Sequence, residues 1–177
     1  HKKTLAHAFL LKGTPGIGKL HFAKVIAGYL LCEIPKHNLP CEQCKGCRLI
    51  KADNHPDLLT IQPEESGRAI KVDQIRTINT FAHQTAQQGG RRIIIVSPAE
   101  SMNINASNAL LKCLEEPGSE TLFLLISHRS SDLLPTIRSR CQLMNFAPPA
   151  HTVASDWLAE QTEDLHDADI LIRLSSG

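Results

Sequence analysis

The sequence predicts an α/β domain in which five parallel strands form one sheet with helices on both faces. Five short apolar runs alternate along the chain with longer stretches of amphipathic, helix-like spacing. The runs are apolar at every position, which is typical of parallel strands buried on both faces. A chain of 177 residues with 42% hydrophobic and 21% charged residues can bury such a core, and this is not the composition of a disordered segment.

The individual elements follow from the positions of these runs. Apolar side chains at Val72, Ile75 and Ile78 recur at helical spacing, and Pro117 limits the helix that precedes it. The predicted strands cover residues 7–11, 58–61, 92–96, 122–126 and 141–146. The predicted helices cover residues 20–31, 71–87, 103–116 and 132–138.

Residues 147–150 (APPA) predict a linker between two domains. We expect the main domain to cover residues 1–147. The segment 148–177 contains two helical patterns, at 153–160 and 168–174, but it is too short to bury much core. We therefore expect it to be the beginning of a helical domain that is cut short.

The charge and hydropathy of the chain exclude two function classes. A net charge of +1 is not that of a strongly basic nucleic-acid-binding protein, although residues 1–48 carry +6 and residues 147–177 carry −5. No apolar run approaches the ~20 residues of a membrane span, and no signal peptide is visible. The chain starts at His1, so we expect an N-terminal piece to be missing, and we expect a cytoplasmic location.

A glycine-rich loop follows the first predicted strand and opens a helix. Its spacing, with Gly13, Gly16, Gly18 and Lys19, matches the phosphate-binding loop of nucleotide-binding proteins. In such a loop the backbone N–H groups bind phosphate oxygens, and the lysine reaches the terminal phosphates. The alternative is a plain turn between strand and helix, which the strand–loop–helix context makes less favoured.

Residues that would hold magnesium are absent from this predicted site. The position after Lys19 needs Ser or Thr to bind Mg²⁺, and here it is Leu20. The third strand should end in an acidic pair, but it runs into Ser97 and Pro98, with Glu100 two residues late in the following turn. We therefore expect at most weak phosphate binding and no hydrolysis in this site.

Four cysteines predict a structural zinc site. The spacing C-x8-C-x2-C-x2-C lets sulfurs converge on one tetrahedral ion, and four thiolates would leave no position for water. An iron–sulfur cluster, free thiols and disulfides are the alternatives, and His37 is a possible substitute ligand. The predicted ligands are Cys32, Cys41, Cys44 and Cys47.

Basic residues surround the cysteine module, as they would in a zinc knuckle that binds nucleic acid. Our preferred interpretation is that they offset the −2 charge of a Zn²⁺ ion held by four thiolates. These residues are Lys36, Lys45 and Arg48.

The segment before the fifth predicted strand contains two closely spaced arginines, Arg138 and Arg140. They could cap the end of a short helix, or one could act as an arginine finger on a neighbouring chain's nucleotide. Together with residues 13–19 (GTPGIGK), 108–117 (NALLKCLEEP) and the cysteine module, the segment 133–141 (LLPTIRSRC) resembles the bacterial clamp-loader ATPases. Among these, the sequence is most similar to the delta-prime subunits of the DNA polymerase III holoenzyme.

This resemblance implies an AAA+ fold, a P-loop NTPase domain followed by a small helical lid domain and a collar domain, the last of which would be absent here. It implies that Arg140, with Ser139 and Cys141 as its motif, points into the ATP site of an adjacent motor subunit, while Arg138 is structural. Ser127 matches the polar position called sensor 1. The implied partners are the tau/gamma and delta subunits and, through the complex, the sliding clamp and primer-template DNA.

Three functions remain as hypotheses. The leading one is a non-hydrolysing clamp-loader subunit that uses its neighbours' ATP within a DNA polymerase (nucleotidyltransferase) holoenzyme. The second is an ATP-hydrolysing motor subunit of the tau/gamma type, against which Leu20, Ser97 and Pro98 argue. The third is a zinc-dependent nucleic-acid-binding module, which the near-neutral charge and the few aromatic residues disfavour.

Overall fold

A computed structural model describes residues 6–65, 67–88, 90–118, 120–150 and 152–156. The chain divides into two compact units, His1–Phe146 and Ala147–Gly177. In the second unit, residues 152–156 are helical. The helical pattern predicted at 168–174, and the end of the one at 153–160, lie outside the described residues.

The first unit contains one sheet of five parallel strands, which confirms the predicted α/β class and strand number. The strand order is β2-β3-β4-β1-β5, so β1 lies between the two strands that come last in the chain. The strands are β1 (Ala8–Lys12), β2 (Leu58–Ile61), β3 (Arg92–Val96), β4 (Thr121–Ser127) and β5 (Gln142–Asn145). The helices are α1 (Lys19–Leu31), α2 (Lys45–Lys51), α3 (Val72–His83), α4 (Ile104–Glu115) and α5 (Pro135–Arg138), with 3₁₀ turns at Ala99–Ser101 and Ser130–Asp132.

The sheet is buried on both faces, which explains why its central strands are apolar at every position. In β3, Ile94 packs into a core with α3 and α4, whereas Ile93 and Ile95 pack into a second core with α1. All five residues of β3 and all seven of β4 are buried. Successive side chains of a strand point to opposite faces, so a strand covered on both sides needs apolar residues throughout.

Helix α3 is shorter than the predicted helix over residues 71–87. It ends at His83, and the backbone N–H groups of Gln87 and Gln88 donate to the two carboxylate oxygens of Asp57 at 2.7 Å. Asp57 is fully buried at the start of β2. The prediction of a longer helix was wrong because this distant carboxylate binds N–H groups that a continuing helix would have used.

The cysteine module and the segment before β5 also depart from the predicted elements. The module ends in α2, which the sequence analysis did not predict and whose N-cap is Cys44. The helix predicted over residues 132–138 is divided into the 3₁₀ turn Ser130–Asp132 and α5. Pro135 separates them, because proline lacks the N–H that a helix interior needs but fits the first helical position.

Candidate functional site

The glycine loop lies between β1 and α1, where the sequence predicted it. Gly16 and Gly18 have φ angles of 79° and 87°, in the left-handed region that favours glycine, and Gly18 is the N-cap of α1. A helix N-terminus has N–H groups without partners inside the helix, and these can bind anions. The backbone part of a phosphate-binding loop is therefore present.

The loop lysine makes internal contacts in this structure. Lys19 is 2% exposed, and its Nζ donates to the carbonyl oxygens of Gly13 at 2.7 Å and Thr14 at 2.6 Å. It also lies 3.0 Å from Nδ1 of His128. Burial lowers the pKa of Lys19, and the nearby carboxylate of Glu100 opposes that shift. An ammonium group has three N–H donors, so Lys19 must give up a protein contact before it can bind a phosphate.

His128 is the residue of this site that the sequence analysis missed. It follows Ser127, the last residue of β4, and lies 109 positions from Lys19 in the chain. Burial lowers its pKa and the charge of Lys19 adds to this, whereas Glu100 raises it. The sequence contained a signal for it, because His128 follows the fourth predicted strand and the glycine loop follows the first. The carboxyl ends of parallel strands meet at one edge of a sheet.

Four residues lie where the sequence analysis expected magnesium ligands: Leu20, Ser97, Pro98 and Glu100. Leu20 packs against the core on the α1 side of the sheet. Ser97 is buried directly after β3, and Pro98 follows it. Glu100 lies in the 3₁₀ turn after β3, where one carboxylate oxygen accepts from the N–H groups of His128 at 2.8 Å and Arg129 at 3.2 Å. Glu100 thus fixes the loop after β4.

A cleft of about 980 Å³ opens at this edge of the sheet. Its lining includes Pro15 from the glycine loop, Ser97 and Glu100 from the segment after β3, and His128 and Arg129 from the loop after β4. The cleft therefore adjoins the place where the sequence analysis looked for a metal and a catalytic acid. Among the described residues that line it, Glu100 is the one carboxylate, and its Oε1 accepts the two backbone hydrogen bonds.

The four cysteines of the module converge to a single point. Their sulfur atoms all lie within 4.8 Å of one another, and the Cys32–Cys44 and Cys41–Cys47 sulfur pairs are each 3.9 Å apart. Four sulfurs bound tetrahedrally at ~2.3 Å to one zinc ion would lie ~3.8 Å apart, so this arrangement fits such an ion. All four are free cysteines.

Backbone N–H groups support three of these sulfurs. The N–H of Cys41 donates to Cys32 Sγ at 3.3 Å, that of Cys44 to Cys41 Sγ at 3.3 Å, and that of Cys47 to Cys44 Sγ at 3.4 Å. These bonds favour thiolates, and the N–H of Cys44 in particular lowers the pKa of Cys41 to about 6. Burial instead raises the pKa of Cys47 to about 12. The four sulfurs are thus placed where they could act as ligands of one metal ion, and Cys47 is the most buried of the four cysteines.

The module packs on the end of α1 through Gly46. A Cβ atom at this position would lie 2.8 Å from the carbonyl oxygen of Leu31 and 3.5 Å from Nε2 of His55. The glycine therefore lets the chain between two of the cysteines approach α1 closely. His37 lies in an exposed hairpin outside the sulfur cluster.

Arg140 lies at the surface after α5. Its Nη2 is 2.6 Å from Oε1 of Glu115, the last residue of α4, and its Nη1 donates to the carbonyl oxygen of Thr136 at 3.0 Å. The Arg140 side chain is 36% exposed. Arg138 instead reaches back to the carbonyl oxygen of Ser130 at 3.4 Å.

The two neighbours of Arg140 are held in different ways. Ser139 Oγ donates to the carbonyl oxygen of Thr136 at 3.0 Å. Cys141 packs against the core on the α3–α4 side, and burial raises the pKa of its thiol to about 11. The side chain of this motif that carries a charge at the surface is therefore that of Arg140.

The strand order and the glycine loop between β1 and α1 are those of a P-loop α/β domain with an AAA+-like fold. The fold resembles that of a DNA polymerase III gamma-subunit-related protein from Thermotoga maritima, with a TM-score of 0.67 and 26% identity over 98% of this chain and 53% of that one. It also resembles Thermotoga maritima RuvB, with a TM-score of 0.52 and 15% identity over 85% of this chain and 41% of that one, which supports the fold alone.

The particular family follows from the sequence comparisons. The family model described as "DNA polymerase III, delta subunit" matches residues 1–150, and the chain belongs to this family. The chain is 47% identical to DNA polymerase III subunit delta' of Pseudomonas aeruginosa, over 97% of this chain and 53% of the relative. It is 38% identical to the subunit of the same name from Bacillus subtilis, over 99% of this chain and 53% of the relative.

These comparisons confirm the resemblance found in the sequence. The chain spans about half the length of the curated relatives that it matches. Within the described residues, none of the helices combines the length and the apolar character that crossing a lipid bilayer requires.

Proposed function

We propose that this chain acts in a clamp loader as a subunit of the delta-prime type, which does not hydrolyse ATP itself and serves the ATP site of a neighbour. The observation that carries the proposal is the contrast between its two candidate sites. At the glycine loop, the ammonium of Lys19 is hydrogen-bonded to backbone carbonyl oxygens. Leu20 stands where a metal-binding Ser or Thr is expected, and Ser97 where an acidic residue is expected. At the other site, Arg140 presents a partly exposed cation.

The loss of hydrolysis follows from the chemistry that the glycine-loop site lacks. Phosphoryl transfer needs a metal ion bridging the phosphates and a group that orients the attacking water. Leu20 and Pro98 have no suitable oxygen on their side chains, and Glu100 accepts two backbone hydrogen bonds after β4. Phosphate binding would further require Lys19 to give up one of its contacts with Gly13, Thr14 and His128.

Arg140 supplies the function in this proposal. A guanidinium at a neighbour's triphosphate stabilises the charge that spreads over the transferring phosphoryl group, and such a finger is worth roughly 10³ to 10⁵ in rate. The neighbour would be a tau/gamma-type motor, the other partners a delta subunit, the sliding clamp and primed DNA. The chain would belong to a polymerase holoenzyme without polymerising DNA itself.

The cysteine cluster has a structural role in this proposal. Zn²⁺ held by Cys32, Cys41, Cys44 and Cys47 would have a closed shell of four thiolates, so it would stabilise the segment after α1 and supply no open position for chemistry. The close approach of Gly46 to Leu31 would carry that stabilisation into the main domain. The adjacent basic residues would then balance the charge of the centre.

The test is the ATPase activity of a clamp loader assembled with the full-length subunit that contains this chain. Arg140→Ala should lower the clamp- and DNA-stimulated rate at least tenfold at the site it serves, because the developing phosphoryl charge loses its guanidinium. Arg76→Ala is the matched control, since Arg76 is also an exposed arginine in a carboxylate pair, with Asp73 at 2.8 Å. Equal rates for the two variants would contradict the proposal.

An active motor of the tau/gamma type remains the second candidate, because all three loop glycines and Lys19 are present. It predicts magnesium-dependent ATP hydrolysis by the isolated subunit, abolished by Lys19→Ala. The first proposal predicts no such turnover.

A further inference from the structure

We propose that Glu115 is a positioning residue that orients the Arg140 guanidinium for a triphosphate bound by the neighbouring chain. This inference rests on the proposed function of Arg140. It starts from the ion pair between Arg140 Nη2 and Glu115 Oε1, 2.6 Å apart, which joins residues 25 positions apart in the sequence.

The backbone on both sides of this pair is fixed by packing. Glu115 ends α4 directly after Cys113 and Leu114, which are both buried. On the other side, Ile137 is fully buried in the same core, and the N–H of Arg140 donates to its carbonyl oxygen at 3.1 Å. The two side chains therefore extend from positions that do not move independently.

The arginine side chain still has four rotatable torsions, and its contacts restrict them. Nη2 is held by Glu115, and Nη1 is held by the carbonyl oxygen of Thr136 at 3.0 Å. Two anchors on different nitrogens set the plane of the guanidinium as well as its position. Of its five N–H donors, these two contacts use one each, and the Arg140 side chain is 36% exposed, so donors remain for a phosphate.

The exposure of the Glu115 carboxylate favours a positioning role over an inhibitory one, in which the ion pair would keep Arg140 away from the phosphates. Glu115 is 49% exposed, and an ion pair in such a solvated position is weak. A triphosphate carries several negative charges and many acceptor oxygens. A single exposed carboxylate therefore does not prevent the guanidinium of Arg140 from binding it. Orienting the guanidinium beforehand lowers the entropic cost of ordering it when the neighbour's site assembles.

The experiment measures kcat and KM for ATP in the assembled loader with the full-length subunit. Glu115→Ala should lower kcat about two- to fivefold without changing KM, the range that an exposed pair can contribute. Glu115→Gln, which keeps the acceptor oxygen and the size, should lose less. Glu116→Ala is the matched control, because Glu116 is the adjacent exposed glutamate at the C-cap of α4.

A double variant separates positioning from a general structural role. If Glu115 acts through Arg140, then Glu115→Ala has no further effect on kcat in the Arg140→Ala background. An equal loss of kcat in both backgrounds would overturn the inference. A rise in kcat for Glu115→Ala would also overturn it, because it would show that the ion pair inhibits Arg140. If Glu115→Ala does not assemble, the isosteric Glu115→Gln variant is tested in the same two backgrounds.

The outcomes also separate this inference from the function on which it rests. If Arg140→Ala lowers kcat while the two Glu115 variants match the Glu116→Ala control, the positioning role is refuted and the arginine finger stands. If Arg140→Ala leaves kcat unchanged, the proposed function itself fails.

Discussion

Acidification from about pH 7.5 to about pH 5.5 is expected to destabilise the domain, and His128 should account for a defined part of the loss. Lys19 can only donate, so its 3.0 Å contact with Nδ1 of His128 requires a neutral imidazole that carries its proton on Nε2. A protonated ring would place two cations side by side. Burial and the charge of Lys19 accordingly lower the pKa of His128, although Glu100 raises it.

The sign and size of the effect follow from proton linkage. In the unfolded chain the imidazole of His128 has its ordinary pKa of about 6.5, and in the folded chain its pKa is lower. The unfolded state therefore binds more protons below about pH 6.5, so the stabilisation is present above that pH and is lost as the pH falls. One such group contributes up to about 1.4 kcal/mol over this interval, reduced where solvent reaches the half-buried ring.

The assay is urea unfolding of the wild type and of His128→Gln at both pH values. The variant should lose less free energy of unfolding on acidification than the wild type. It should keep some pH dependence, because burial also lowers the pKa of His55. His83→Gln, which removes an exposed imidazole from α3, is the control. The same loss in wild type and His128→Gln would refute the role assigned to the contact with Lys19.

Two further predictions concern the cysteine module. Gly46→Ala would place a Cβ 2.8 Å from the carbonyl oxygen of Leu31 and should cost about 1–3 kcal/mol in thermal unfolding, whereas Gly28→Ala, whose Cβ would meet Pro40 at 3.4 Å, should be close to neutral. Equal melting temperatures for the two variants would contradict the packing argument. Cys44→Ser should reduce bound zinc in metal analysis and lower the melting temperature, as a chelator should in the wild type; unchanged metal content would contradict the proposed site.

The strands were the most predictable part of the fold. The predicted bounds 58–61 and 92–96 are those of β2 and β3, and the other three strands differ by one residue at each end. Burial on both faces demands continuous apolar runs, so local sequence is sufficient for these elements. The end of α3 was not predictable in this way, because Asp57 binds N–H groups about 30 positions away in the chain.

The candidate site was predictable in its residue types and less so in its contacts. The glycine spacing located the loop, and the cysteine spacing named four sulfurs that do converge. By contrast, the partners of Lys19 and Arg140 lie on other elements, at His128 and Glu115, and only the folded sheet brings them together. Spacing rules describe one segment at a time, whereas these pairs depend on strand order and on how two helices end.

The position of Lys19 has a consequence for how the backbone of the glycine loop is held. The buried ammonium donates to the carbonyl oxygens of Gly13 and Thr14, so that two acceptors of the loop backbone share one cation. The first residue of α1 thereby holds the backbone at the start of the loop that precedes the helix. These two hydrogen bonds do not involve Leu20, Ser97 or Pro98, so changes at those three positions need not alter the start of the loop.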